Sequence, residues 1–216
     1  MMTTRYILKR VVSNFVFAFI ISAAFGLVVA QGNDKHRQER IANCRDSVEH
    51  IFEGNYTIIY DECREQPLRA FYTIYPNKKK VITRKEYGGR FFISKNLWTS
   101  DNRDYRKNKY DRGHLLAASA RDFDRRKYRE TFHFSNVALQ VDKLNRGIWR
   151  DLEVEIQELS DSLGIAIDVE IEVIFSSESE RLETGAVVPD AFRKIYLDKC
   201  FIFANVDSSK KVECQR

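Results

Sequence analysis

Three side chains near the middle of the chain have the chemistry to hydrolyse a phosphodiester. His114 closes the string Tyr110-Asp111-Arg112-Gly113-His114, and Asn145 follows 31 residues later in Leu144-Asn145-Arg146-Gly147-Ile148-Trp149. An imidazole titrates near neutrality, so a neutral His114 can take a proton from water. The amide oxygen of Asn145 is a hard donor, suited to Mg2+, which keeps several of its own waters and needs few protein ligands. The planar fork of Arg112 matches the charge on a phosphate. Glu153 lies eight residues beyond Asn145. On a single helix that spacing is close to two turns, which puts both side chains on one face and Glu153 within reach of waters on the ion. Asn136, nine residues before Asn145, could orient the site.

Each of these residues also has an ordinary reading. A lone histidine commonly satisfies a buried hydrogen bond. Asn145 near a helix start could be an N-cap, and the cap would use the oxygen a metal needs. Glu153 sits among Glu155 and Glu158 and could be a solvated helix residue. Arg112 could pair with Asp111, and Asn136 could end a turn. Trp98 and Trp149 read as core residues, and Lys78-Lys79-Lys80 as the decoration of a hairpin tip.

Charge is distributed unevenly around these positions. The chain of 216 residues carries a net +5. Residues 84–150 hold 17 Lys and Arg against 8 Asp and Glu, a net of +9, while residues 151–190 hold 1 against 12, a net of −11. The basic block contains both His114 and Asn145, as an electrostatic footprint for a phosphate backbone would.

The elements that must position these residues follow from periodicity. Tyr56-Thr57-Ile58-Ile59-Tyr60 and residues 69–75 read as two antiparallel strands. Residues 99–109 are almost wholly polar and are expected to form an exposed loop. Residues 117–129 read as an irregular helical excursion, and residues 132–139 as a buried segment. One long helix is expected over about 143–163, with Ile148, Leu152, Ile156, Leu159 and Leu163 along one stripe and Gly164 as its stop. Residues 165–175 alternate as a half-buried strand, and residues 194–204 supply one more. Strands before and after a long helix imply an α+β fold with a central mixed or antiparallel sheet.

At the N-terminus, Arg5, Lys9 and Arg10 precede an apolar run from Val11 to Ala30, and Val28-Val29-Ala30 offers small residues for a signal peptidase. Residues 1–30 read as a signal peptide or an uncleaved N-terminal membrane anchor, and residues 31–216 as a single domain outside the cytoplasm, periplasmic or secreted. Four cysteines remain: Cys44, Cys63, Cys200 and Cys214. Two disulfides are expected in an oxidising compartment; three pairings exist, and the short loops favour Cys44–Cys63 with Cys200–Cys214. No Cys-x-x-Cys pair suggests zinc.

Asp111-Arg112-Gly113-His114, Phe134-Ser135-Asn136, Leu139-Gln140, Leu144-Asn145-Arg146-Gly147-Ile148-Trp149 and Leu152-Glu153 together resemble the DNA/RNA non-specific endonucleases, the ββα-metal nucleases related to endonuclease G. Val188-Pro189 and Phe192-Arg193-Lys194-Ile195 extend the resemblance, which spans roughly residues 56–206. It implies a ββα-metal (His-Me finger) fold with a long metal-binding helix. It further implies His114 as general base, Asn145 as direct ligand of Mg2+ (or Mn2+), Glu153 as partner of metal-bound water, and Arg112 and Asn136 as supports of the phosphate and the site. DNA and RNA would be the substrates, with 5′-phosphate products; a homodimer is open, and a membrane is a partner only where residues 1–30 stay uncleaved. A catalytically weak nucleic-acid-binding module and a delivered nuclease toxin are the alternative functions. The family pattern has an arginine four residues beyond the matching glutamate, where this chain has Gln157, and a further upstream arginine for which Arg84 and Arg90 are candidates.

Overall fold

A seven-stranded antiparallel sheet forms the backbone of the structure. The computed structural model describes residues 39, 42–52 and 55–215. The N-terminal run, with its leader-or-anchor reading, lies outside them. Cys44–Arg216 forms one compact unit. The strands are β1 (Val48–Phe52), β2 (Tyr56–Asp61), β3 (Gln66–Ile74), β6 (Ile167–Ile174), β7 (Ala191–Tyr196), β8 (Lys199–Ala204) and β9 (Val212–Glu213), adjacent in that order. Every pairing between them is antiparallel. Two further strands, β4 (Tyr110–His114) and β5 (Val137–Val141), make a separate antiparallel pair. Among its described residues are four α-helices, α1 (Arg84–Tyr87), α2 (Arg125–Glu130), α3 (Asp142–Arg146) and α4 (Ile148–Leu163), and two 3-10 turns, Ala118–Arg121 and Phe134–Asn136.

Alternation gives the large sheet one apolar face and one charged face. In β6, Ile167, Val169, Ile171 and Val173 are buried while the residues between them reach solvent. Trp149, Leu152 and Ile156 of α4 join Tyr72, Ile171, Phe192 and Phe203 in the main core. On the outer face, the acidic residues of β6 meet partners across the strands. Arg69 bonds Glu170 at 2.6 Å, Thr73 bonds Asp168 at 2.7 Å, and Arg193 pairs with Glu172 at 2.7 Å. Two of the acidic residues of the block, Glu170 and Glu172, are thus paired with cations on the sheet.

Four sequence expectations change in detail. The helix expected over 143–163 is two helices, because Gly147 takes φ −102° and ψ −120° and breaks the chain between α3 and α4. A Cβ at Gly147 would stand 2.6 Å from the Lys143 carbonyl oxygen. Residues 194–204 are not one strand but the β7–β8 hairpin, turning through Leu197 at φ 50°. The 99–109 loop is not wholly exposed: Ser100 is buried, its N–H donating to the Tyr60 hydroxyl at 3.1 Å. Lys78-Lys79-Lys80 is not at a hairpin tip, since β3 pairs with distant β6; the Lys78 ammonium instead donates to Gln157 at 2.5 Å. The disulfides are Cys44–Cys63 and Cys200–Cys214.

The small hairpin is fastened to the large sheet through side chains. Gln66 at the start of β3 accepts from the Leu139 N–H at 3.0 Å. Asn205, just past β8, accepts from the Val141 N–H at 2.8 Å and donates to the Leu139 carbonyl at 2.9 Å. These amides satisfy the buried edge of β5 that no strand covers. Between β4 and β5 the approach is close: a Cβ on Gly113 would lie 2.5 Å from Cβ of Gln140. Gly113→Ala is expected to cost about 1–3 kcal/mol through overpacking, read as a lower urea midpoint.

Candidate active site

β4, the segment that follows it, α3 and α4 contribute to an open cleft of about 610 Å³, lined by Arg112, His114, Asn145 and Glu153 among others. Arg112 and His114 alternate onto the same face of β4. Asn145 comes from α3 and Glu153 from α4. The Gly147 break therefore replaces the shared helical face expected from spacing, yet both side chains still reach one cleft.

His114 sits against Phe91 and Phe132, with ring centroids 5.4 and 5.2 Å away. Burial, helped by the nearby Arg84 cation, pushes its pKa down to about 3, so the ring is neutral at ordinary pH. Nε2 is buried and meets no hydrogen-bond partner among the described residues, which leaves Nδ1 as the ring nitrogen with access to the cleft. His114 is thus not the satisfied core histidine of the ordinary reading.

Asn145 is not an N-cap. The cap position of α3 is Val141 and that of α4 is Gly147, while Asn145 lies inside α3. Its Nδ2 donates to Asp111 at 2.9 Å. That bond fixes the amide plane, and the oxygen accepts nothing from the described residues. Asp111 also receives two 2.7 Å hydrogen bonds from Arg146. Burial pushes the Asp111 carboxyl up, but the bonds from Arg146 and Asn145 outweigh it and hold the group below its ordinary range. Asp111 therefore pairs with Arg146, not with Arg112.

The Arg112 guanidinium lies between two rings, 5.3 Å from the Phe91 centroid and 5.0 Å from that of Tyr105. One Nη donates to Asn102 at 2.7 Å, and Nε is buried without a partner among the described residues. The guanidinium forms no salt bridge among the described residues, although Asp111 lies near enough to feel its charge, and it lines the cleft. Of the two upstream candidates, Arg84 lines the cleft with it. Lys80, Arg146 and Arg150 add three more cations to the lining, against Asp111, Asp122 and Glu153.

Beneath the cleft, the fully buried Lys194 of β7 stands 3.8 Å from Glu153 Oε1 and 3.7 Å from the Trp149 ring centroid. Burial pushes Glu153 up and Lys194 down, and their mutual attraction opposes both shifts. Asn136 occupies a different place from the other four. Its side chain is buried, donating to the carbonyls of Leu116 at 3.0 Å and Thr131 at 2.8 Å and accepting from the Leu116 N–H at 3.0 Å. It clamps the backbone that follows His114. Trp149 is core as expected, whereas Trp98 is exposed.

Two contributors were missed from sequence alone. Asp111 figures in the sequence only as one possible salt-bridge partner of Arg112, and its spacing to Asn145 carries no signal of contact. The alternation of Phe192, Lys194 and Tyr196 in β7 was a signal, since it places the lysine on the inner face.

No group of three or more His, Cys, Asp or Glu able to hold a metal occurs among the described residues. The available donor is a free carboxamide oxygen, with the Glu153 carboxylate lining the same cleft. That hard, sparse oxygen set fits Mg2+, which retains most of its waters, better than a softer ion.

Three histidines, His114 in the cleft and His50 and His133 in a separate groove, make stability pH-dependent. Unfolded, each titrates near 6.5. Folded, His114 is held at about 3, His133 at about 4, and His50 below its ordinary value, each mainly by burial. Depressed values mean the unfolded chain binds more protons, so stability present above about pH 6.5 is lost as pH falls toward 4 and 3. The melting temperature in EDTA is expected to drop between pH 7 and pH 4, and His133→Gln should flatten that slope.

An antiparallel hairpin that delivers a histidine, followed directly by helices that deliver an asparagine and a glutamate, defines a ββα-metal nuclease fold. The DNA/RNA non-specific endonuclease family model matches residues 39–200, and the chain belongs to that family. Human mitochondrial endonuclease G (Homo sapiens) is 43% identical over 61 residues, 28% of this chain and 20% of that protein. The mitochondrial nuclease EXOG of Danio rerio is 35% identical over 65 residues, 30% of this chain and 19% of its own. The matched segments thus span about a fifth of each relative. In the crystal structure of the EndoG/EndoGI complex, a chain superposes with a TM-score of 0.64 at 21% identity, covering 76% of this chain and 79% of that one.

Proposed function

We propose that the chain is an exported endonuclease that hydrolyses DNA and RNA with little sequence preference, using Mg2+ or Mn2+. The observation that carries this is the meeting of His114, Arg112, Asn145 and Glu153 in one cation-rich cleft. Nδ1 of His114 takes a proton from water as the water oxygen bonds to phosphorus and the bond to the 3′ oxygen breaks, leaving a 5′-phosphate. Arg112, held against the Phe91 and Tyr105 rings, meets the charge on the non-bridging oxygens. Asn145 would hold the ion, its amide fixed by Asp111. When bound, the ion supplies Lewis-acid stabilisation of the phosphate and leaving oxygen. Glu153 presents an acceptor to water in the cleft, and Asn136 holds the backbone beyond His114. The cations face a sugar-phosphate backbone, which carries little base information. Two disulfides support an oxidising compartment, and N-terminal sequencing of the exported protein tests cleavage after Ala30.

Incubation of plasmid DNA and of RNA with the protein in Mg2+ or in EDTA tests the activity. Degradation of both only with metal is expected. A mobility shift without cleavage in either condition would make the protein a nucleic-acid-binding module instead.

A further inference from the structure

We propose that Asn102, in the loop ahead of β4, is a positioning residue: it sets the direction of the Arg112 guanidinium, so that one nitrogen of the fork stays free for a phosphate oxygen. The inference rests on the reading of the cleft as a nuclease site. One Nη of Arg112 donates to the Asn102 side-chain oxygen at 2.7 Å, its single hydrogen bond among the described residues. Nε is buried without a partner among those residues, which leaves the other Nη to face the cleft. Neither Asn102 nor Tyr105 is part of the cleft lining, so both act on substrate only through Arg112.

The rings and the amide restrain different motions. The Phe91 and Tyr105 rings, 5.3 and 5.0 Å from the guanidinium carbon, hold the cation in place by attraction to their π systems. That attraction is nearly indifferent to which N–H points where. The hydrogen bond to Asn102 makes the choice. The neutrality of the acceptor also matters. A carboxylate at this position would pair with the fork and oppose the charge that a phosphate needs. The amide oxygen gives direction and leaves the charge whole. Asp111, the carboxylate beside Arg112 in sequence, is hydrogen-bonded by Arg146 and Asn145.

Asn102 is itself held on both sides. The Asp101 N–H donates to the Asp104 carboxylate at 2.7 Å, and the Asp104 N–H donates back to the Asp101 carbonyl at 3.2 Å. Asp104 is buried, and Ser100, just before the turn, donates its N–H to the Tyr60 hydroxyl at 3.1 Å. Asn102 sits inside this closed turn, and Tyr105 follows the turn directly. The segment 101–105 therefore supplies Arg112 with its acceptor and with one of its two rings. That gives the polar loop before β4 a task in the cleft.

The test is a cycle of variants assayed on plasmid DNA and on RNA in Mg2+. Asn102→Ala should lower kcat/KM by about tenfold or more, toward the ~10²-fold cost of a misplacement of about 1 Å. Asn102→Asp should fall further, because its carboxylate opposes the Arg112 charge. In an Arg112→Ala background, Asn102→Ala should cost nothing more. Melting in EDTA should be unchanged in each Asn102 variant, since the side chain is exposed. An additive double variant, or parental activity in Asn102→Ala, overturns the proposal. The nuclear magnetic resonance signals of the Arg112 guanidinium give a readout apart from activity. The parent should show separate Nη signals, because the bond to Asn102 slows rotation, and Asn102→Ala should merge them. Merged signals in the parent overturn the proposal as well. A parent that cuts neither nucleic acid overturns the nuclease reading instead, and the guanidinium signals still decide whether Asn102 sets Arg112.

Discussion

His114→Ala is expected to lower turnover of plasmid DNA by at least the ~10²–10⁴-fold that general bases contribute. The fold should survive, because the ring makes no hydrogen bond whose loss would strand a partner among the described residues. It contacts Phe91 and Phe132 by its edges and faces alone. The melting temperature in EDTA should therefore move little while kcat falls. His114→Gln keeps most of the packing volume and should be as inactive as alanine. Near-normal digestion of plasmid by either variant would remove His114 from the chemistry and leave the cleft a binding surface.

Lys194→Met should be the most destabilising single change near the cleft. The ammonium is wholly buried and Glu153 is its carboxylate partner, 3.8 Å away. Removing one member of a buried pair strands the other, at a cost of about 3–5 kcal/mol. Methionine retains most of the volume and the contact with Trp149, so the loss reports charge. Adding Glu153→Gln should recover much of it, since an amide tolerates burial better than an unpaired carboxylate. The sign with pH follows: acid protonates the stranded carboxyl, so the deficit of Lys194→Met should shrink as pH falls. Urea unfolding of both single variants and the double variant at pH 8 and pH 5 measures this. An additive double variant, or a deficit that grows in acid, would show that the ion pair is not what holds Glu153.

The strands of the large sheet were legible wherever alternation was clean, as in β6, because a half-buried strand writes its two faces directly into the sequence. The same was true of the apolar stripe of α4. The Gly147 break was not legible. The stripe starts at Ile148 and runs on smoothly, and a glycine inside a helical pattern is usually tolerated. β7 and β8 merged into one strand because Leu197 and Asp198 carry no glycine or proline to mark a turn. β1 went unread, its residues Val48–Phe52 being interrupted by Glu49 and His50. In the cleft, the residue types and their matching string pointed to His114, Arg112, Asn145 and Glu153. The contacts that orient them, Asp111 on Asn145 and Lys194 on Glu153, join residues 34 and 41 positions apart; alternation in β7 could place Lys194 on the inner face, but nothing in spacing names Glu153 or Asn145 as the partner.

The pinning of β5 by Asn205 bears on when the protein can first act. β5 carries no catalytic side chain, yet it is the strand against which β4 presents His114, and Asn205 follows it by more than sixty residues. β3 likewise waits for β6, and Glu153 for Lys194. A chain emerging from the ribosome, N-terminus first, therefore has His114 and Asn145 in hand long before it has the scaffold that aligns them. Cutting ability should switch on late and abruptly, as the last tenth of the polypeptide appears, and nascent fragments ending before Asn205 should be harmless to the nucleic acids around them.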